Sequence, residues 1–360
     1  MIVTDKNSFS VCNFYARLQT ENKILSVTEM KQLSPTIQTL YQELVQQVHN
    51  VTERTGSLYT RSVKNIDYIY VKRTVGSARR DVFIGRADAP EAQSRAEQIR
   101  QEATRSRERR KIVNTLKTAG VPVPTHALGV VLDALEDAGL LREAVVVGTA
   151  AYQCYSPIVG LPLPSASLMT QDADLATASL ALSGEDITET METILQRADS
   201  TFKPIPGLNP KALPSSFRAA NGFVVDLLTP QLRRDDTNPM PLQNLQAGAV
   251  PLQHLRWLIA DPIPACALYG SGIALYVPAP ARFAIHKLII AQKRTGDRSK
   301  RTKDLLQAKA LIEALQASDP WALADAYEDA CAQGSGWQQP ISRSLQELAI
   351  DAAAFASGGN

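Results

Sequence analysis

"VVVGTAAYQCYSPIVG" (residues 145–160) and "TQDADLA" (residues 170–176) place an apolar strand, a Gly-Thr turn and two aspartates in close succession. Aspartate is unfavourable in strands and costly to bury without a partner. Because Asp172 and Asp174 are two residues apart, a strand would direct both carboxylates to the same face. Two neighbouring anions repel each other unless a cation lies between them. The pattern therefore predicts a divalent metal at this position.

Two further features belong to the same predicted site. Gly148 permits a tight turn and the close approach of a ligand to the backbone. Thr149 offers a hydroxyl group beside the free N–H groups at the start of a helix, which suits a phosphate. Asp226 interrupts the apolar run FVVDLL (residues 223–228), so it should be paired or bound to a ligand. Three aspartates on neighbouring strands can hold two Mg²⁺ ions together with substrate phosphates.

Each of these features has a simpler explanation when it is taken alone. An Asp-x-Asp pair is common in surface loops, and a Gly-Thr pair carries almost no information. Asp226 is harder to dismiss because apolar residues flank it on both sides. The three features in this order are much rarer than any one of them.

The composition is that of a folded protein with a sizeable core. Of 360 residues, 44% are hydrophobic, and the length suggests two or three domains. A formal net charge of +2 gives no global sign of a nucleic-acid coat. The four cysteines are far apart and form no CxxC pair, which argues against a zinc site or a disulfide framework. The N-terminal stretch does not resemble a secretory signal and no window approaches a membrane span, so we expect a cytoplasmic protein without membrane partners.

Hydrophobic periodicity and turn residues predict the order of the elements. Helices are expected near residues 34–50 and 89–118, in a segment ending near Gly139, and through most of the chain after Pro280. Strands are expected within residues 57–86 around a turn at Gly76-Ser77, and at residues 144–147, 223–230 and 272–278.

The site motifs resemble those of the DNA polymerase beta superfamily of nucleotidyltransferases, and more specifically a bacterial group of proteins with a nucleotidyltransferase fold. The resemblance covers roughly residues 120–318. The stretches that carry it are LEDAGLLREAVVVGTAAYQCY, TQDADLA, VVDLLTP, ALYVPAPARFAIHKLIIAQKR and KRTKDLLQAKALIEAL. Two features depart from the superfamily pattern: Thr149 stands where Ser or Gly is more usual, and GLPLPSASLM (residues 160–169) lengthens the gap to Asp172. We interpret this insertion as a loop at the mouth of the site.

The resemblance implies a mixed α+β fold, in which a small mixed sheet is flanked by helices. It also implies transfer of a nucleoside monophosphate from an NTP such as ATP, with release of pyrophosphate and two Mg²⁺ ions, or Mn²⁺, as cofactors. Gly148 and Thr149 would contact the triphosphate, Asp172 and Asp174 would ligate both metals, and Asp226 would ligate the catalytic metal and help to deprotonate the acceptor.

This resemblance leaves the acceptor open. Related groups modify tRNA ends, proteins or antibiotics, and some act as toxins in defence or toxin–antitoxin systems. RNA such as tRNA, a protein, and an antitoxin partner are therefore all retained as expectations.

The predicted regions are an N-terminal helix and β-hairpin region (1–120), a catalytic core (121–279) and a C-terminal helical region that completes the nucleotide site (280–360). Lys287 lies in an otherwise apolar turn and requires an anion, for which a triphosphate and Asp304 are the two candidates. The resemblance favours the triphosphate. Arg294 and Lys303 are also expected to bind phosphate. The Lys303-Asp304 pair is expected to begin the next helix. His286 is expected to point away from the site and to pack against a neighbouring helix.

The N-terminal region carries a separate hypothesis. The cluster RSRERRK (residues 105–111) is best explained as a solvated helix face, because glutamates interrupt it. The hairpin is different, since it combines basic and aromatic residues that suit RNA or DNA, with a partner protein as the second choice. These residues are Lys72, Arg73, Arg79, Arg80, Tyr59, Tyr68 and Tyr70.

Two non-enzymatic alternatives remain open at this stage. One is a nucleotidyltransferase fold that has become a silent binding module. The other is a DNA-binding regulator built on the N-terminal helix and hairpin, with residues 121–170 as a winged-helix-like unit, although this alternative leaves Asp226 unexplained.

Overall fold

The computed structural model describes residues 32–76, 78–164, 172–176, 189–207, 209, 212–233, 238–294, 296 and 298–356. For residues 172–176, and for Ala354 and Ala356, it describes the backbone but not the side chains. Residues 165–169 of the predicted loop and Ser77 of the predicted turn lie outside these ranges.

A mixed sheet of nine strands forms the centre of the described chain. Its strands are β4 (Val145–Val147), β5 (Asp172–Ala176), β6 (Lys203–Pro204), β7 (Ser216–Arg218), β8 (Val224–Pro230), β9 (Met240–Leu242), β10 (Ala247–Leu252), β11 (Ile263–Ala267) and β12 (Ile273–Val277). The main path of the sheet runs β11-β12-β4-β5-β8-β10-β9, and β7 pairs with β8 and with β6 beside that path. Pairing is parallel for β12–β4, β5–β8 and β8–β10 and antiparallel elsewhere.

Helices cover this sheet, and the predicted α+β class is confirmed. The helices are α1 (Pro35–His49), α2 (Pro90–Thr118), α3 (His126–Asp137), α4 (Gly148–Tyr152), α5 (Tyr155–Val159), α6 (Met191–Ala198), α7 (Leu255–Leu258), α8 (Pro280–Lys293), α9 (Arg298–Ser318), α10 (Pro320–Ala332), α11 (Ser335–Glu347) and α12 (Ala353–Ala356). Among the described residues, no helix is both long and apolar enough to cross a membrane.

β4 is a buried central strand rather than part of a separate unit. All three of its valines are buried, and it lies between β12 and β5. Residues 121–164 therefore contribute a strand to the main sheet, so the winged-helix alternative for residues 121–170 is wrong.

A second sheet of three antiparallel strands precedes the main one. It contains β1 (Ser57–Val63), β2 (Ile66–Val75) and β3 (Ala78–Arg86). The turn near Gly76 was predicted, whereas the turn between β1 and β2 was missed. There Lys64 and Asn65 have φ angles of 50° and 63°. Two consecutive left-handed residues make the tight hairpin turn that matches the strand twist, and only Asn65 hinted at it.

The long helix α2 is less solvated than its composition predicts. Every third or fourth residue is buried, from Ala92 to Leu116, and this stripe includes Glu102 and Arg109. These two side chains form a buried ion pair. The exposed charges around them explain why the sequence pattern predicted a wholly solvated face.

Asp137 connects the three-stranded sheet to the main body of the chain. Its side chain is only 3% exposed and lies 3.3 Å from Arg54, 3.4 Å from Arg80 and 3.2 Å from Arg197. These arginines come from the segment after α1, from β3 and from α6. One buried carboxylate therefore holds together elements that are far apart in sequence.

We predict that Asp137→Ala lowers the free energy of unfolding by about 3 kcal/mol, because the substitution leaves several partly buried guanidinium groups without their shared anion. Chemical denaturation would measure the change. Asp261→Ala is the matched control, since its side chain is 74% exposed and pairs, among the described residues, with Arg282. Equal stabilities of the two variants would contradict the role given to Asp137.

Candidate functional site

The register of three neighbouring strands brings the predicted acidic positions together. Asp174 is the register partner of Val147 on one side and of Asp226 on the other. Asp172 lies two residues earlier on the same strand, opposite Val224. By strand alternation, positions 172, 174 and 226 belong to one face of the sheet. The sheet therefore brings Asp226 beside the pair Asp172 and Asp174, although more than fifty residues separate it from that pair in the sequence.

Asp226 lies on the open face of β8. Its neighbours Val225 and Leu227 are buried on the opposite face, whereas Asp226 is only partly buried and borders a cleft. Ser216, its register partner on β7, donates a hydrogen bond of 2.5 Å from Oγ to Asp226 Oδ1. This bond fixes one carboxylate oxygen, and within the described part of the chain no hydrogen bond engages the other.

The Gly-Thr turn lies beside these aspartates. Gly148 follows Val147 directly and has a φ angle of 65°, a conformation that favours glycine. Thr149 is 8% exposed, and both residues border the same cleft as Asp226. The left-handed backbone conformation at position 148 therefore explains why a glycine stands there.

The cleft has a volume of about 770 Å³ and lies between the sheet and the helices α7, α8 and α9. Six of the eight residues predicted for the site border it: Gly148, Thr149, Asp226, Lys287, Arg294 and Lys303. The other two, Asp172 and Asp174, are placed by their backbone alone. The predicted roles of all eight residues stay predictions.

Lys287 has the protein partner that the sequence offered as one of two candidates. Its Nζ lies 2.6 Å from Asp304 Oδ1, and Arg294 Nε lies 2.5 Å from Asp304 Oδ2. Asp304 is 2% exposed and Lys287 is 6% exposed. Two cations share one buried carboxylate, so the trio carries an excess positive charge at the wall of the cleft.

The predicted position of the Lys303-Asp304 pair needs a correction. Helix α9 begins at Arg298, so the pair lies more than one turn inside the helix rather than at its start. Asp297 directly precedes Arg298 in the sequence and is a residue type favoured at helix N-caps, so it could have indicated the earlier start.

His286 also differs from its prediction, because it borders the cleft instead of pointing away from it. Burial, together with the nearby Lys287, lowers the pKa of His286 to about 3. The imidazole is therefore neutral at physiological pH. It can accept or donate a hydrogen bond in the cleft without adding charge.

A second histidine was missed by the sequence argument. His254 borders the cleft with a φ angle of 64°, and its Nε2 lies 2.6 Å from Lys293 Nζ. Its ring packs edge-on against Trp337, with ring centroids 4.3 Å apart. Burial and the adjacent Lys293 lower the pKa of His254 to about 4. The sequence near His254 does not indicate its left-handed backbone conformation or its partner 39 residues away.

Positive charge dominates the described side chains of the cleft. Five basic residues face two acidic ones, and the basic set is Lys287, Lys293, Arg294, Lys300 and Lys303. Asp226 and Asp304 are the acidic set. An excess of lysine and arginine suits a polyphosphate. Among side chains that the structure describes, no group of three His, Cys, Asp or Glu residues could hold a metal. The side chains of Asp172 and Asp174 are not among those described.

A family model described as nucleotidyltransferase matches residues 126–332. The chain belongs to this nucleotidyltransferase family. The match begins with α3 and ends with α10, so it includes the main sheet, the cleft and every predicted site residue, but not β1–β3.

Other comparisons add little to the family assignment. No curated protein matches the chain significantly. The solved structure of an antigenic nucleotidyltransferase-like protein from Paracoccidioides brasiliensis is similar at 15% identity, covering 66% of this chain and 95% of that chain with a TM-score of 0.35. A TM-score this low carries no argument about this nucleotidyltransferase.

We predict that the imidazoles of His254 and His286 remain neutral down to about pH 5 in the folded nucleotidyltransferase, since burial holds their pKa values near 4 and 3. The unfolded chain takes up these protons near pH 6.5. It therefore binds more protons than the folded state below that pH, so the free energy of unfolding should fall as the pH drops from about 6.5 towards 4.

An NMR titration of the imidazole C–H signals would test this, with His254→Asn and His286→Gln used to assign the resonances. A titration midpoint between about pH 6 and 7 for either ring would contradict the described environment.

Proposed function

We propose that this nucleotidyltransferase is a metal-dependent enzyme of the DNA polymerase beta superfamily that transfers a nucleoside monophosphate from an NTP to an acceptor hydroxyl group. The observation that carries the proposal is the register of Asp174 with Asp226 beside Gly148, at the edge of a cation-rich cleft. A protein without phosphate chemistry would have little use for this combination.

The residues present fit a divalent metal. Position 174 is directly beside position 226 across the parallel pair β5–β8, and carboxylate oxygens are the ligands that Mg²⁺ prefers. Asp172, Asp174 and Asp226 would hold Mg²⁺, with two ions expected and Mn²⁺ as the alternative. Bound there, the ions would neutralise triphosphate charge and polarise the attacking hydroxyl group.

The protein's own groups would bind the triphosphate and handle the proton. Lys303 and Arg294 border the cleft and would pair with phosphate oxygens. Asp304 holds Lys287 and Arg294 in fixed positions, so their charges are ordered before the substrate arrives. Gly148 would let the backbone approach the phosphates closely.

In the proposed reaction, the acceptor oxygen forms a bond to the α-phosphorus while the bond from that phosphorus to the bridging oxygen breaks. Pyrophosphate leaves, and the proton of the acceptor hydroxyl passes to Asp226. Ser216 keeps that carboxylate oriented through its hydrogen bond. The proposed acceptor is RNA, such as a tRNA end, or a protein, and a toxin or defence role with an antitoxin partner is a further hypothesis.

We predict that Asp226→Asn lowers nucleotidyl transfer by at least about 100-fold, because the amide cannot take the proton and is a poor metal ligand. The measurement is incorporation of each of the four α-³²P-labelled NTPs with Mg²⁺ or Mn²⁺ into total RNA and into cell extract. Labelled RNA and labelled protein are separated by nuclease and protease digestion.

Asp261→Asn is the matched control, since it makes the same chemical change in an exposed carboxylate. Absence of label under every condition, or equal labelling by Asp226→Asn, would contradict the proposal. If labelling fails, calorimetry with NTP and Mg²⁺ tests whether the fold is a silent binding module. A silent module would bind NTP equally in wild type and Asp226→Asn, or in neither protein.

Two lysines of the cleft should respond differently to substitution. We predict that Lys303→Ala weakens NTP binding several-fold. Lys287→Met should weaken NTP binding and also lower the free energy of unfolding, because it leaves the buried Asp304 with one cation fewer. Calorimetry and chemical denaturation measure the two quantities. Arg343→Ala removes one exposed positive charge on α11 and serves as the control. NTP affinities equal to that of Arg343→Ala would exclude both lysines from the nucleotide site.

A further inference from the structure

The three-stranded sheet β1–β3 presents a continuous group of aromatic rings on one face. Tyr59, Tyr70 and Phe83 are directly opposite one another across the three strands. The rings of Tyr59 and Tyr70 are stacked with centroids 5.6 Å apart, and Tyr70 meets Phe83 edge-on at 5.5 Å. Tyr68 completes the group at 5.9 Å from Phe83. We call these four residues the aromatic face.

The opposite face of the same sheet is occupied by apolar packing. Val71 and Ile84 are buried against Ala92 and Ile99 of α2. The aromatic face has no such burial, since Phe83 is 54% exposed and the three tyrosines are partly exposed. A sheet of this size needs one apolar face for its own core, so large rings on the second face are not required for folding.

Basic residues surround the aromatic face. Arg61 is opposite Tyr68, Lys72 follows Tyr70 by two residues, and Arg79 is opposite Thr74, and all three basic side chains are exposed. The Lys72 ammonium lies 5.5 Å from the centroid of the Tyr59 ring. Asp81 lies opposite Lys72 and is the acidic residue at the described register positions beside the rings. Arg61, Lys72 and Arg79 outnumber it, so the charge of this surface is net positive.

This surface corrects the predicted basic–aromatic patch. Arg73 and Arg80 lie on the other face, where Arg73 pairs with Glu53, and Arg80 pairs with Asp137 and Glu189. Those two arginines hold the sheet in place. Arg61 and Phe83 take their places around the rings, and the period of two along each strand could have revealed this.

We infer that the aromatic face binds single-stranded nucleic acid. Bases stack on exposed aromatic rings in a way that tolerates any sequence, while lysine and arginine contact the phosphates. A row of rings across two inter-strand spacings is about 10 Å long, which accommodates two or three bases, as on other sheet platforms that bind RNA. A protein partner would be expected to cover the rings with apolar groups, and the exposed cations between the rings favour a polyanion instead.

The inference does not rest on the proposed catalytic function, because stacking needs neither NTP nor metal. β1–β3 lie outside the residues matched by the nucleotidyltransferase family, so the aromatic face is separate from the catalytic core. If the acceptor is RNA, this face would hold it. The arginines that bind Asp137 connect this sheet to α3 and α6. A bound strand would therefore be attached to the same rigid elements that support the main sheet.

The test is fluorescence anisotropy with the full-length protein and a labelled oligouridine of about 12 nucleotides, without NTP or divalent ions. The matched variants are Phe83→Ala and Trp321→Ala, since both remove an exposed aromatic ring and Trp321 is 61% exposed on α10. Phe83→Ala should weaken binding by about 5- to 100-fold, and Trp321→Ala should leave it unchanged. Circular dichroism confirms that both variants are folded.

Charge is tested in the same assay. Lys72→Ala should weaken binding and make the negative slope of log affinity against log salt shallower by about 0.7, whereas Arg343→Ala should change neither quantity. A labelled duplex of the same length should bind more weakly, because its bases cannot reach the rings.

Three results would overturn the inference: no binding of the single strand by wild type, equal affinities of Phe83→Ala and Trp321→Ala, or equal binding of duplex and single strand. Self-association through this face would also overturn the inference. It would appear as a dimer in sedimentation that Phe83→Ala abolishes, together with no binding of nucleic acid. Failure of the labelling assay with intact strand binding would instead overturn only the catalytic proposal.

Discussion

The position of β5 between β4 and β8 is the constraint on which the rest of the site depends. Because Asp174 is in register with both Val147 and Asp226, the Gly148 turn at the end of β4 lies next to the aspartates of β5 and β8. A shift of one residue would move Asp174 to the opposite face, since side chains alternate along a strand. Such a shift would turn positions 172 and 174 towards the face on which Val225 and Leu227 are buried, and aspartate is costly to bury there without a partner.

Electrostatic balance explains the composition of the cleft. Aspartates held side by side repel each other. The lysine and arginine residues of α8 and α9 offset only part of that repulsion, because several of these cations already have partners within the protein. Asp304 binds Lys287 and Arg294, and His254 accepts a hydrogen bond from Lys293. The cleft is therefore ordered before any ligand enters, and its acidic edge and basic wall suit a metal–polyphosphate complex.

Much of the site was predictable because its signals are local. A glycine after a buried strand, an Asp-x-Asp pair and an aspartate within an apolar run all violate the preferences of their surroundings, so each one is visible in the sequence. Ser34 before Pro35 is a local signal of another kind, since its hydroxyl accepts a hydrogen bond from the backbone N–H of Ile37 and caps α1. The nine-stranded extent of the sheet was not predictable, since β6, β7 and β9 are only two or three residues long and carry little periodicity.

The missed features depend on contacts between distant residues. His254 owes its role to Lys293 and Trp337, and the buried pair of Glu102 and Arg109 looks like ordinary surface charge when read along α2. Asp304 was a candidate partner of Lys287, but only the packing of α9 against α8 makes it the observed one. Local patterns identify the residues that conflict with their surroundings, whereas their partners emerge only from the fold.

The central claim is that the carboxylates at positions 172, 174 and 226 together hold divalent cations. Electron paramagnetic resonance of Mn²⁺, titrated into the protein with a non-hydrolysable NTP, measures this most directly. Saturable binding of two ions in wild type, with at least one ion lost in Asp174→Asn and none lost in Asp261→Asn, is the predicted result. Unchanged Mn²⁺ binding in Asp174→Asn would contradict it.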